Sequence, residues 1–150
     1  MSTDRIVTIV LSAFALGFSI YNFYRSRTVA MYQDLDRLYL ELLKLGIANP
    51  GFVNPSLTRD YKKNFEGDKR LQYELYAFMV WNVCETIHDR RDIKGFFRTW
   101  ECIIKVENDL HRDWFDSEEN RCRFKDEFNA YVNKLPKQRR AQSTGQLVNP

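Results

Sequence analysis

The chain has 150 residues, 44% of them hydrophobic and 15% aromatic. That is enough for one domain with a modest core, and too rich in Phe, Tyr and Trp for a disordered, highly charged chain. Its formal charge of +3 comes from 23 basic and 20 acidic residues spread along the sequence; a nucleic-acid binder concentrates its excess on one face, so the balance points away from nucleic acid.

The first element is an apolar run. Ile6 to Tyr24 is nineteen residues without a charge or a proline, and at 1.5 Å per residue it reaches about 28 Å, close to the hydrocarbon thickness of a bilayer. Its hydroxyls, Thr8, Ser12 and Ser19, bond back to a helix backbone, and Tyr21, Phe23 and Tyr24 suit the headgroup level. Arg5 precedes the run beside Asp4, whereas Arg25, Arg27, Arg37 and Lys44 follow it. The positive-inside rule therefore places the N-terminus outside and the C-terminal part in the cytoplasm. A cleaved signal peptide, with Ala13-x-Ala15 or Ala15-x-Gly17 as its site, is the rival reading; a barely basic n-region and apolar residues beyond either site oppose it. Ala13 and Gly17 share a face that would let a second membrane helix approach, although small residues are common in any such helix.

No proline or glycine interrupts Phe18 to Leu45, so the membrane helix is predicted to continue as a rod of about 40 residues that stops at Gly46. Thr28, Met31, Leu35, Leu38, Leu42 and Leu45 follow a 3-4-3-4-3 spacing. Tyr32, Tyr39 and Leu43 widen this seam toward bundle packing, with a parallel coiled coil as the sharper alternative. Asn49-Pro50-Gly51 and Asn54-Pro55 then predict a long loop over residues 47–67, with one helical turn after Ser56.

A second helix is predicted from Lys69 to Arg91, capped by Asp68, with Leu75 to Cys84 as a buried apolar middle. A third, near Gly95 to Trp114, carries Phe96, Trp100, Ile103, Ile104, Glu107 and Leu110 at helical spacing. Asp116-x-x-Glu119 reads as a capping box opening a fourth, with Phe124, Phe128, Tyr131, Val132 and Leu135 on its buried face and Pro136 as its stop. The expected organisation is all-α: an anchor over 1–27, a cytoplasmic helical bundle over 28–135 and a disordered tail over 136–150.

Candidate chemistry is sparse. Cys84, Cys102 and Cys122 stand 18 and 20 residues apart, giving neither a close-spaced zinc pair nor an even disulfide set, and they fit reduced thiols. Glu85-x-x-His88 and Glu107-x-x-x-His111 echo the carboxylate-histidine ligands of di-iron bundles. In an antiparallel hairpin, however, the two pairs stand about 13 Å apart at 1.5 Å per residue, so they read as surface or cap histidines beside acids, and no metal or cofactor is expected. No phosphate loop, His-Glu-x-x-His, Gly-x-Ser-x-Gly or dinucleotide fingerprint is present. Asn82, Glu85 and His88 remain, as a polar network with Arg98 or a loop backbone group, or as a pocket with the Pro-containing loop as its lid.

The amino-terminal span, the Leu-rich helix after it and the stretch Tyr76-x-x-x-x-Trp81-Asn82-x-x-Glu85 together resemble uncharacterised small bacterial single-pass membrane proteins with a helical cytoplasmic domain. That resemblance implies a bacterial cytoplasmic membrane and a helical fold. The expected function is a membrane-anchored interaction or scaffold module whose partners are the lipid bilayer and another protein or a second copy of the chain. The alternative is a small enzyme or ligand-binding domain at Asn82, Glu85 and His88.

Overall fold

The computed structural model describes residues 3–93 and 95–136, with side chains from residue 7 onward; the tail predicted over Lys137 to Pro150 lies outside the described residues. Among the described residues all regular structure is helical, as the periodicity requires. The first helix, α1, runs from Thr3 to Ala48 without a break. It ends where Asn49 leaves helical geometry before Pro50, since a proline disfavours helix at the residue preceding it.

Gly46 is therefore inside α1 and does not stop it. Its missing side chain matters for packing: a Cβ there would meet Val53 Cγ1 at 3.0 Å and the Tyr76 hydroxyl at 3.2 Å. By compactness the chain divides within α1, between Glu41 and Leu42, and the two units are described separately.

Among its described residues the first unit is helix alone. Its apolar stretch is the one segment among the described residues long and apolar enough to cross a membrane, and none of that window is buried by the rest of the protein. Phe14 is 79% exposed. A soluble helix with such a surface would carry a large unsatisfied hydrophobic cost in water.

The second unit begins with the last turns of α1. The long loop expected after Gly46 is a chain of short helical turns, of which α2, over Pro55–Thr58, stands where one turn was expected after Ser56; a 3-10 turn over Pro50–Val53 and α3 over Tyr61–Asn64 were not expected. Local chemistry starts α2, where the Asn54 side chain accepts the Ser56 N–H at 2.9 Å and Pro55 supplies the first helical position. Aromatic burial holds the segment down. Phe52 packs at 5.6 Å against each of Phe65, Tyr73 and Tyr76, and Phe65 stacks on Tyr73 at 4.9 Å. Turn residues in the sequence announce a loop; the buried rings are what fold it into compact turns.

Next, α4 spans Gly67–Asp89, and its cap position is Glu66, not Asp68. Asp68 lies in the first turn, where its charge favours the helix N-terminus. Gly95, at φ 81, supplies the left-handed residue that turns the chain into α5, Phe96–Phe115. Among the described residues these two helices share the most extensive contact of any pair of elements.

The predicted fourth helix is two. Asp116 ends α5, where it accepts the Arg112 Nε–H at 2.9 Å, so it opens no capping box. Then α6 covers Glu118–Arg121 and α7 covers Asp126–Lys134. Asn129 explains the break, because its side-chain amide donates to the carbonyls of Arg121 and Phe124, each at 3.1 Å, and so satisfies acceptors that a continuous helix would have used. The buried face survives the break: Phe124, Phe128, Val132 and Leu135 are buried as their spacing predicts, and Tyr131 is half-buried.

Candidate interaction surface

The run from Leu75 to Cys84 reads in sequence as uniformly buried, but α4 has two faces. Tyr73, Tyr76, Ala77, Val80, Trp81 and Cys84 are buried, whereas Leu71, Leu75 and Met79 are 57%, 55% and 42% exposed. These three residues recur every fourth position, which lines them along one side of the helix. Beside them the last turns of α1 add Leu45, also exposed. Between the two helices lies a groove of about 420 Å³ with Leu45, Leu75 and Met79 on its sides, Asn49 and Gln72 as its polar members, and the buried rings of Phe52 and Tyr76 as its floor.

No carboxylate or ammonium lines the groove. One cation borders it: Lys69 Nζ donates to Asn49 Oδ1 at 2.6 Å and lies 4.6 Å over the Phe52 ring. A mostly uncharged channel with one cation at its margin suits an apolar helical face that carries an acidic residue. The i, i+4, i+8 stripe of Leu71, Leu75 and Met79 was legible in the sequence. What concealed it was the continuity of the apolar run, which gave no sign of which side would be covered.

The residues singled out in sequence fall elsewhere. Asn82 is half-buried and its amide donates to the Phe78 carbonyl of its own helix at 2.8 Å. Glu85 Oε1 accepts the backbone N–H of Lys125, at the start of α7, at 2.8 Å. His88 is 4% exposed, with its ring 4.7 Å from Tyr131 and 5.5 Å from Phe128. The Pro50–Pro55 segment packs on Tyr73 and Tyr76 in the first half of α4, whereas Glu85 and His88 occupy its last turns. In the first unit, Ala13 is exposed and Gly17 has nothing within 4 Å.

Both histidines are interior groups, which corrects their reading as surface or cap residues. His111 is 0% exposed: its Nδ1 is 3.1 Å from the Tyr73 hydroxyl, its Nε2 is 3.4 Å from Glu107 Oε2, and its carbonyl accepts the Trp81 indole N–H at 3.2 Å. His88 is engaged with α7 and His111 with the first half of α4, so the two Glu/His pairs serve different contacts. Among the described residues no group of three or more His, Cys, Asp or Glu is placed to hold a metal ion.

Sequence reasoning missed the second half of this polar core. Arg112 Nη1 donates to Asn108 Oδ1 at 3.0 Å and to the Val132 carbonyl at 2.7 Å, and the Asn108 amide donates to the Pro136 carbonyl at 3.1 Å. This pair fastens the end of α7 to α5 and satisfies backbone acceptors that Pro136 leaves behind when it ends the helix. The available signal was the spacing of Glu107, Asn108, His111 and Arg112, two i, i+4 polar pairs beside an apolar stripe.

No family model, curated protein or solved structure matches the chain.

Proposed function

We propose that the chain is a single-pass membrane protein whose cytoplasmic helical domain receives, in the groove between α1 and α4, an apolar helical face of another polypeptide. The observation that carries the binding half is the exposure of Leu71, Leu75 and Met79 beside a groove with an aromatic floor. Leaving such side chains in water forgoes about 25 cal/mol for each Å² of apolar area that a partner would cover.

Support for the anchor half comes from the unburied apolar stretch of α1 and from the basic residues Arg25, Arg27, Arg37 and Lys44 that follow it. A bacterial cytoplasmic membrane is part of this reading. The acidic residue expected on the occupant faces Lys69. Specificity then comes from the spacing of its apolar residues, which must match the four-residue repeat of the groove wall.

The test has two arms. Alkaline carbonate extraction and protease protection of native-level protein check the anchor: resistance to extraction with residues 42–136 accessible only from the cytoplasmic side is the expected result, and release by carbonate would end that half of the reading. A photo-crosslinker at Gln72 checks the groove. The expected result is one stoichiometric, identified partner peptide whose adduct disappears in Leu75→Glu while the helical signal is retained. An adduct indifferent to Leu75→Glu, or an adduct formed only with a second copy of the chain, would overturn the proposed occupant.

A further inference from the structure

The last helix, α7, is fastened to the end of α4 by polar contacts around one histidine and by the packing of its buried Phe128 on Trp81. Glu85 accepts the Lys125 backbone N–H at 2.8 Å, Asp89 Oδ2 pairs with Lys125 Nζ at 2.5 Å, and Arg91 Nη2 donates to Glu127 Oε2 at 3.1 Å. His88 sits among them with its ring against Tyr131 and Phe128 of α7, and Arg91 Nη1 lies 3.3 Å from His88 Nδ1 and 3.4 Å from its Nε2. A guanidinium nitrogen nearly equidistant from both ring nitrogens lies over the imidazole face, where a neutral ring accommodates it and a protonated one meets it as a like charge.

From this geometry we infer that α7 is an acid-released latch: protonation of His88 loosens the helix from α4 and uncovers the aromatic surface beneath it. That surface is extensive. Phe128 packs on Trp81 at 6.1 Å, on Phe115 at 6.0 Å and on Phe124 at 5.9 Å.

The charged neighbours decide the direction. On α4, Glu85 and Asp89 would favour an imidazolium, and Arg91, in the turn after that helix, opposes it; from α7, Glu127 favours it, and Lys125, just before that helix, stands against Asp89; from α5, Glu101 faces Tyr131. Each of the three carboxylates nearest His88 already accepts from another donor: Glu85 from the Lys125 N–H, Asp89 from the Lys125 ammonium and Glu127 from Arg91. Burial and Arg91 therefore prevail, and the His88 imidazole is held below its ordinary range. A base held low in the folded state stays neutral above its unfolded value near 6.5, and latch stability is lost as pH falls from there through the folded value.

Hydrogen–deuterium exchange on the full chain in lipid nanodiscs, corrected for the intrinsic pH dependence, tests the latch. Between pH 7.5 and 5.5, protection of residues 126–134 is expected to fall severalfold while that of residues 96–115 holds. His88→Phe keeps the ring contacts without a titrating nitrogen and should remain protected at both pH values. Should that variant fail to fold, His88→Gln and the carbon-bound ring proton of His88 in the native chain, whose titration midpoint must coincide with the loss of protection, decide the matter. Equal protection of α7 at both pH values, an equal loss in the variant, or a loss shared by α5 would each overturn the proposal.

Discussion

The Tyr73 hydroxyl lies 3.1 Å from His111 Nδ1, so two residues 38 positions apart in the chain meet in the interior and tie α4 to α5. Tyr73 also carries the stacked Phe65 ring at 4.9 Å, which makes it the junction between the short helical turns and the main helix pair. Tyr73→Phe removes the hydroxyl, keeps the ring contacts and leaves a buried imidazole nitrogen without its partner. A loss of about 1–3 kcal/mol in unfolding free energy is expected, read from urea denaturation in mild detergent. Wild-type stability in this variant would show that the contact contributes nothing net.

Gly46 offers a test in which helix propensity and packing oppose each other. Alanine is better than glycine inside a helix by about 1 kcal/mol. Here its Cβ would press on Val53 Cγ1 and the Tyr76 hydroxyl, and overpacking costs about 1–3 kcal/mol. Gly46→Ala should therefore lower the melting temperature, whereas Gly17→Ala, with open space around it, should not. A Gly46→Ala protein that melts higher than wild type would refute the packing role.

Thiol reactivity should separate the three cysteines. Cys102 and Cys122 are exposed, while burial, aided by the Glu107 charge, pushes the buried Cys84 thiol well above its usual range. An aromatic disulfide reagent at pH 8 should titrate two thiols in the folded chain and the third only after denaturant is added. Rapid labelling of Cys84 in the native state would contradict the packing of α4 against α5.

Alkaline stability follows from the tyrosines. Burial, with the Glu101 and Cys84 charges adding, pushes the Tyr131 phenol up to about 12, and burial raises Tyr73 as well. Such groups stay protonated in the folded chain after their unfolded counterparts ionise near 10. The folded state thus binds more protons in that interval, and stability is lost as pH rises from about 10 toward 12. Melting temperatures measured across this interval should decline, and Tyr131→Phe should flatten part of the decline. An unchanged slope in the variant would remove Tyr131 from the account.

The sequence by itself determined what local patterns determine. A charge-free run from Ile6 to Tyr24 sets a helix of membrane-spanning length, the absence of proline up to Pro50 carries that helix onward as one rod, and the spacing of Phe96, Trp100, Ile104 and Glu107 sets the buried side of α5. Those features follow from composition and from a period of 3.6 residues, which any short window displays.

Only the tertiary structure decided the rest, because it depends on which distant groups meet. Gly46 reads as a stop and is a contact point for Tyr76; Asp116 reads as a cap and receives Arg112; the turns from Pro50 to Asn64 read as a loop and are held by Phe52 and Phe65 against Tyr73. The two histidines read as surface or cap groups and are buried, since the partners that make burial tolerable lie 38 residues away for His111 and 40 and 43 residues away for His88. The exposed side of α4 is the same kind of fact: Leu75 and Trp81 are equally apolar in the sequence, and only the arrangement of neighbouring helices covers one and leaves the other open to water.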